Sequence, residues 1–307
     1  TAEFIYEQPA FPEPEYTFKH ALTQAVAYNS LLIEHRKALH QRTAHAIESL
    51  FSTSREDYYE TLAHHYRCSG NTEKAIEYLH LAGQQAVRRS ATADAIEFLT
   101  SALALLNTLP DTPDRARQEL TLQLALGPVF NTTKGFGSPE MGQTYSRARE
   151  LCTHVGDTAL LFSTLMGLRV FHTARGQHQA ARALGEELVH LAQATAEPAL
   201  LVAAHYAIVP SLYYLGEFST VIKHCKQSLN LYDRRQHDEQ ILSYGQSHAV
   251  MTLCYTAYTL YMLGYPDQAR QKVQESLQLA QELAHPLSYT QALISAATTH
   301  LLLWKSQ

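Results

Sequence analysis

Hydrophobic residues recur along most of this chain at the three- and four-residue spacing of an amphipathic helix, and short polar turns separate the runs. Near the start, residues 15–20 (EYTFKH) alternate apolar and polar positions, which predicts a short strand. Residues 21–32 and 35–50 then predict two helices. Residues 1–14 are rich in Pro and Glu and predict irregular backbone, and no segment has the pattern of two strands around a hairpin turn.

Turn signals divide the rest of the chain into helices. Asn71 follows Gly70 and predicts the start of a helix after a turn. Ser54 with Asp57 resembles a capping box, the pair of side chains that closes the first turn of a helix. Residues 135–139, with two glycines and a proline, predict a loop between two helices.

One spacing recurs four times and is the strongest indication of the fold. A large residue is followed four positions later by Gly, and five positions after that by a small or β-branched residue. The four instances are Tyr66-Gly70-Ala75, His172-Gly176-Ala181, Leu212-Gly216-Val221 and Leu260-Gly264-Ala269. Gly can adopt the positive φ that ends a helix in a tight turn, and the small residue lets the next helix pack closely against the first. The spacing therefore predicts antiparallel helix pairs.

The first of these pairs carries a more specific pattern, namely Tyr59, Leu62, Ala63, Tyr66, Gly70, Ala75, Leu79 and Ala82. This pattern resembles the tetratricopeptide repeat. The later intervals exceed the standard repeat of about 34 residues, and Arg169 stands where a small residue is usual. The resemblance implies an all-α, tetratricopeptide-like helical-hairpin solenoid, a right-handed superhelix, over residues 54–307. The repeat boundaries between residues 84 and 160 stay open.

A second resemblance lies in residues 18–32 (FKHALTQAVAYNSLL), followed by Arg36, Leu39 and Arg42. This segment is similar to one in bacterial AAA/STAND-type signalling ATPases, where it follows the nucleotide-binding module. The resemblance implies that residues 1–50 are the remnant of a preceding winged-helix or helical domain. Residues 288–304 form a predicted helix with no stop signal, which predicts that the array is truncated at its C-terminus. Many such ATPases also carry a class III adenylate or guanylate cyclase domain. The alternative is the effector-sensing repeat domain of a maltose-regulator-like transcription activator.

Charge and cysteine content narrow the function classes. The formal net charge of −5 gives no basic surface for nucleic acid, and no polybasic stretch is present for an anionic membrane. Residues 241–266 and 285–304 lack charged side chains, but their many Ser, Thr, Gln and Tyr residues favour packed helices over a membrane span. The four cysteines form no C-x-x-C pair, which predicts free thiols and a cytoplasmic protein.

Candidate catalytic and metal-binding patterns are weak. His64 and Cys68 share one helix face and offer two ligands for zinc, but no second pair is evident. Residues 134–138 (KGFGS) lack the order of a phosphate-binding loop, and no Walker motif occurs elsewhere in the chain. The sequence therefore predicts no cofactor, no metal and no catalysis in this chain. A metal hydrolase built from the histidine cluster is the enzymatic alternative.

Binding residues follow from the predicted repeats. The first helix of each pair lines the concave face of a helical solenoid, and by this resemblance the groove-facing residues are His64, Arg67, Tyr206, Tyr213, Tyr258 and Tyr261. Tyr combines a large apolar face with one hydroxyl, which suits a peptide or a small effector. The alternative is that these tyrosines pack between repeats, and burial of all four would exclude the groove. Binding of a protein, a peptide or a small effector on this face is expected to act on the protein's own ATPase module through residues 18–42, which makes the chain a protein-protein or ligand-sensing scaffold.

Overall fold

The computed structural model of the chain describes residues 5–8, 15–233 and 246–305. Two short strands, β1 (Ile5–Gln8) and β2 (Glu15–Phe18), precede the helices, and one 3-10 turn spans Arg55–Tyr58. The α-helices of the described residues are α1 (Ala21–Ser30), α2 (Ile33–Leu50), α3 (Tyr59–Ser69), α4 (Thr72–Arg88), α5 (Thr92–Leu106), α6 (Pro113–Lys134), α7 (Pro139–Val155), α8 (Thr158–Ala174), α9 (His178–Thr195), α10 (Pro198–Tyr214), α11 (Phe218–Leu231), α12 (His248–Met262), α13 (Pro266–Leu283) and α14 (Pro286–Lys305).

The two strands form an antiparallel pair in which Ile5 lies opposite Phe18. The predicted strand at the start of the chain is confirmed as β2. The prediction that residues 1–14 contain no strand is wrong for β1. Residues 5–8 (IYEQ) do not alternate apolar and polar positions, whereas residues 15–18 (EYTF) do, so only β2 carried a strand pattern. β1 becomes regular because its partner strand supplies the hydrogen bonds.

Glycine turns join the first and second helices of four pairs: α3 with α4, α8 with α9, α10 with α11, and α12 with α13. The four predicted turn glycines, Gly70, Gly176, Gly216 and Gly264, all have φ between 71° and 85°. The small or β-branched residues that follow them, Ala75, Ala181, Val221 and Ala269, are each 0% exposed. The all-α helical-hairpin architecture is therefore confirmed, and the left-handed turn is the local reason for it.

Two of the three local signals at helix starts are confirmed. Asn71 caps α4, since its side chain accepts a hydrogen bond from the backbone N–H of Lys74 at 3.2 Å. Residues 135–139 form the loop between α6 and α7, and Ser138 caps α7. The capping box at Ser54 is wrong, because this side chain makes no capping hydrogen bond and precedes a 3-10 turn instead.

The chain divides into two compact units, unit 1 (Thr1–Arg115) and unit 2 (Ala116–Gln307). In unit 1, Glu48 of α2 joins that helix to the first predicted repeat. Its carboxylate accepts hydrogen bonds from the hydroxyls of Tyr66, at 2.6 Å, and Tyr78, and the ammonium group of Lys74 lies 3.8 Å away. Burial opposes ionisation of Glu48, but these hydrogen bonds outweigh it and hold the pKa below its usual value.

In unit 2, close helix packing depends on glycines that face a tyrosine. The ring of Tyr145 on α7 lies against Gly127 of α6 and Gly167 of α8, and a Cβ at either glycine would overlap the ring. Leu165 and Leu188 are among the buried side chains of the adjoining core. This close packing holds the first and second helices of the pairs in unit 2 at fixed positions. The helix positions determine which partners their polar side chains can contact.

Two further sequence predictions concern redox chemistry and membranes. All four cysteines are free thiols, as predicted; Cys68 is half-buried and the other three are buried. Among the described helices, none combines the length and the apolar character that crossing a bilayer requires.

Candidate ligand-binding surface

The predicted tyrosines of unit 2 differ in exposure. Tyr213 on α10 and Tyr258 and Tyr261 on α12 are half-buried, so each retains some accessible ring surface. Tyr206 is 4% exposed and packs in the interior, stacked on the ring of His248 at a centroid distance of 5.0 Å. Tyr206 therefore offers a ligand no ring face in this arrangement. The binding role of the other tyrosines stays a prediction.

Tyr213 and Tyr258 form a cluster with Tyr255, which the sequence analysis did not single out. The ring centroid of Tyr213 on α10 lies 5.7 Å from that of Tyr255 and 6.1 Å from that of Tyr258, both on α12. The spacing of Tyr255 and Tyr258, three residues apart on one helix, was the signal that could have found it. Burial raises the pKa of Tyr213 and of Tyr258, so both hydroxyls stay protonated at neutral pH.

Tyr261 has a structural partner. Its hydroxyl donates a hydrogen bond to the backbone carbonyl of Leu302 at 3.0 Å, which fastens α12 to α14. A ligand that used this hydroxyl would have to displace the carbonyl or donate a hydrogen bond to the hydroxyl oxygen.

The two remaining predicted residues, His64 and Arg67, lie on α3 in unit 1 and are exposed. The Nε2 atom of His64 is 3.7 Å from the Sγ atom of Cys68 on the same helix. Each is accessible to a partner of unit 1, and that role also stays a prediction.

Arg169 on α8 is the most unusual charged residue of unit 2. Its side chain is buried, with 4% exposed, and its guanidinium carbon lies 5.7 Å from the ring centroid of Tyr206. No carboxylate among the described residues forms an ion pair with it, and its Nε–H has no acceptor there. A buried charge without a counter-ion is rare, because removing the charge from water costs on the order of several kcal/mol.

The groups around Arg169 are neutral. Burial lowers the pKa of His248 to about 3, and the nearby charge of Arg169 lowers it further in the same direction. Burial raises the pKa of Tyr206, although Arg169 opposes this shift. At neutral pH, Arg169 is therefore the positive charge in a neutral polar cluster.

A row of amide side chains continues from Tyr206 toward α14. The Nε2 of Gln246 donates to the hydroxyl of Tyr206 at 3.4 Å, and the Nε2 of Gln291 donates to the Oε1 of Gln246 at 2.9 Å. The Oε1 of Gln291 is buried and has no donor among the described residues. The row thus has an unused donor at Arg169 and an unused acceptor at Gln291.

The row belongs to successive first helices of the pairs, or to the residues just before them, namely Arg169 on α8, Tyr206 on α10, Gln246 before α12 and Gln291 on α14. In the sequence, Arg169 stands out only as a departure from the repeat pattern. No signal marks Gln246 or Gln291, because isolated Gln residues are ordinary on any helix surface.

No protein-family model matches the chain. An uncharacterized protein from Rhizobium meliloti (strain 1021) is 25% identical over 294 residues, which are 92% of this chain and 28% of that protein. The chain therefore spans a little over a quarter of the length of this relative.

Solved structures with similar folds include regulatory proteins with helical repeats. A Rap protein complexed with competence and sporulation factor has a TM-score of 0.56 and 15% identity, over 94% of this chain and 81% of that one. A signal transduction ATPase with numerous domains (STAND) from Pyrococcus horikoshii, with a tetratricopeptide repeat sensor, has a TM-score of 0.54 and 13% identity, over 92% of this chain and 47% of that one. These likenesses confirm the tetratricopeptide-like helical fold.

Proposed function

We propose that this chain is a non-catalytic, ligand-sensing scaffold, and that unit 2 binds a peptide or small effector through an acidic group held by Arg169. The observation that carries the proposal is the buried guanidinium of Arg169, which has neither an ion-pair partner nor an acceptor for its Nε–H among the described residues. The Rap protein of similar fold is complexed with competence and sporulation factor, which supports a role in sensing.

The chemistry of Arg169 selects the ligand class. A guanidinium group presents parallel N–H donors that match the two oxygens of a carboxylate. Arg169 is as buried as Tyr206, so a ligand reaches it only when the side chains around it move apart. The pair then forms at a low effective dielectric, where an ionic hydrogen bond is stronger than in water. An acidic ligand would therefore relieve the desolvation of Arg169 and bind selectively over a neutral analogue.

The neighbouring residues suit a peptide in particular. A peptide carries both carbonyl acceptors and N–H donors, which are the groups that the unused Nε–H of Arg169 and the unused Oε1 of Gln291 require. The half-buried ring of Tyr255 lies close enough to Tyr206 and Arg169 to interact with them electrostatically. In this proposal the ring cluster of Tyr213, Tyr255 and Tyr258 provides apolar surface beside the row, and the groove predicted from the sequence keeps Tyr213 and Tyr258.

The scaffold is proposed to belong to a larger, cytoplasmic signalling protein. In this proposal residues 1–50 are the end of an ATPase-associated helical or winged-helix segment, and residues 54–307 are the repeat array. Ligand binding would regulate the ATPase module only if the ligand prefers one arrangement of the array over another. The similar fold of the STAND protein's structure supports this setting.

The two versions of the proposal differ in the output domain of the parent protein. A cyclase domain encoded before this region would favour an adenylate or guanylate cyclase. A helix-turn-helix domain encoded after it would favour the alternative, a maltose-regulator-like transcription activator. The full open reading frame distinguishes the two directly.

The test uses two synthetic hexapeptide libraries, one with free C-terminal carboxylates and all side chains, the other amidated and without Asp or Glu. Affinity selection on the 307-residue chain with mass-spectrometric readout should retain members of the first library and few of the second. Arg169→Met should abolish retention. Arg175→Met, which changes an exposed arginine at the end of the same helix, should not. Equal retention of both libraries, or retention by Arg169→Met, would contradict the proposal.

A further inference from the structure

Three side chains with soft ligand atoms converge in unit 1, and one of them, His64, was also predicted as a groove residue. One ligand atom from each of His40, His64 and Cys68 lies within 4.8 Å of the others. His64 and Cys68 are one helical turn apart on α3, so they share a face. His40 comes from α2, which packs beside α3, and its ring centroid is 5.8 Å from that of His64. Two helices thus supply three ligands to one place.

His40 is held by partners on both of its ring nitrogens. Its Nδ1 lies 2.8 Å from the Nδ1 of His65, and its Nε2 lies 3.0 Å from the hydroxyl of Tyr28. Whichever nitrogen turns toward a metal, the other keeps a hydrogen-bonding partner that orients the ring, as is usual for histidine ligands. The contact between two Nδ1 atoms also requires that one of the two imidazoles accept the hydrogen bond at that nitrogen, so at least one of the two rings is neutral.

The ligand set and its spacing indicate the metal. Two imidazoles and a thiolate match zinc, which binds nitrogen at about 2.0–2.1 Å and sulfur at about 2.3 Å in a tetrahedron. These bond lengths imply ligand-to-ligand separations of roughly 3.5 Å, so rotation of the side chains is enough to close the set. His64 is exposed and Cys68 is half-buried, so an ion can reach the site from solvent.

We propose that His40, His64 and Cys68 bind one Zn²⁺, with water in the fourth position, and that the metal fastens α2 to α3. On binding, the thiol of Cys68 releases its proton to solvent and the sulfur donates an electron pair to the metal. The inference is independent of peptide binding, which involves unit 2. The metal would act by holding α2 against α3, and α2 lies within the segment proposed to connect the array to a preceding module.

The sequence alone brings together only His64 and Cys68, because the third ligand, His40, lies on another helix. His35, His40 and His45 recur every five residues, which spreads them around α2, and only His40 meets the pair on α3. The packing of α2 against α3 was needed to select it.

The test is a titration of the chelator-treated, 307-residue chain with Co²⁺, whose bond to a thiolate gives a charge-transfer band in the near ultraviolet. One cobalt per chain is expected, and Zn²⁺ should displace it and abolish the band. Because the other three cysteines are buried, a band would originate at Cys68, and Cys68→Ser should remove it. His40→Gln and His64→Gln should each weaken cobalt binding at least tenfold, whereas His35→Gln, at an exposed position of α2, should leave it unchanged.

Two controls keep the result interpretable. Each variant should match the metal-free parent chain in circular dichroism, which establishes that it is folded. Zinc should also raise the Tm of the parent chain and of His35→Gln but not that of Cys68→Ser, because a ligand that binds the folded state stabilises it. Absence of the thiolate band, or a band and a Tm shift that persist in both His40→Gln and His64→Gln, would overturn the assignment.

Discussion

Glu48 in unit 1 and Arg169 in unit 2 are both charged side chains between packed helices, yet the protein surrounds them in opposite ways. Glu48 receives hydrogen bonds from Tyr66 and Tyr78 and lies near Lys74. Arg169 is more deeply buried, its polar neighbours Tyr206 and His248 are neutral, and no carboxylate among the described residues forms an ion pair with it. A satisfied charge holds helices together, whereas an unsatisfied one is retained at a cost to stability and points to a ligand.

The largest expected effect is the loss of the Glu48 network. Glu48→Leu should lower the free energy of unfolding of unit 1 by about 3–5 kcal/mol, because two hydrogen bonds to a charged acceptor disappear and two buried hydroxyls lose their partner. Urea denaturation followed by circular dichroism measures this loss. Glu34→Leu, at a position 81% exposed on the same helix, should cost less than about 1 kcal/mol. Similar losses for both variants would remove the structural role assigned to Glu48.

The opposite sign is expected in unit 2. Arg169→Met should raise the free energy of unfolding by about 1–4 kcal/mol in the absence of ligand, because an apolar side chain of similar length replaces an uncompensated buried charge. Arg175→Met should lower it by about 1 kcal/mol or less, since Arg175 is exposed and loses only a 3.3 Å hydrogen bond to the backbone carbonyl of Gly137 and a contact with the ring of Phe171. The same denaturation assay decides the outcome, and destabilisation by Arg169→Met would make Arg169 a structural residue like Glu48.

Lowering the pH should destabilise unit 2 at a higher pH than unit 1. His248 has a pKa of about 3 in the folded chain against 6.5 unfolded, so its contribution is complete above pH 6.5 and declines as pH falls toward 3. At about 1.4 kcal/mol per pH unit, unit 2 should lose roughly 2 kcal/mol between pH 6.5 and 5. Glu48, whose folded pKa is lowered, contributes stability that is lost only as pH falls below its unfolded value of 4.5.

Unfolding curves at pH 7.5, 6.0 and 5.0 test this order. His248→Asn should make the free energy of unfolding depend less strongly on pH in this range. Arg169→Met should also make it shallower, because the charge of Arg169 contributes to the low pKa of His248. A slope that neither variant changes would assign the acid sensitivity to other groups, of which His205 and His224 also have lowered pKa values.

The smallest effects come from removing a single hydroxyl in each region. Tyr78→Phe should cost about 1.5–3 kcal/mol, because its hydroxyl donates to the charged carboxylate of Glu48. Tyr206→Phe should cost about 1–2 kcal/mol, because its hydrogen bond from Gln246 is long at 3.4 Å and neutral, and only the nearby guanidinium of Arg169 adds a charged contact to the hydroxyl. Thermal unfolding of the two variants side by side measures the difference, and an equal cost would mean that Tyr206 holds a stronger network than its contacts indicate.

The candidate site was only partly predictable. Tyr213 and Tyr258 could be placed on first helices from the repeat spacing, and they do contact each other. Tyr206 could not be recognised as buried, because the periodicity of a helix packed on both sides does not distinguish its interior face. Arg169 was noticed only as an exception, and nothing in the sequence indicated that no acid would lie beside it.

What the sequence determined by itself is local. The left-handed turns at Gly70, Gly176, Gly216 and Gly264, the small residues that follow them and the cap at Asn71 depend on a few neighbouring residues, so they could be read from spacing and were confirmed.

Only the tertiary structure decided which side chains from distant helices meet. The carboxylate of Glu48 reaches two tyrosines, His40 reaches the pair His64 and Cys68, and Arg169 reaches no acid among the described residues. Such encounters depend on the rotation and approach of helices that are far apart in sequence. Periodicity along one helix carries no information about its partner's register, so the charges that distinguish a structural contact from a binding site appear only after packing.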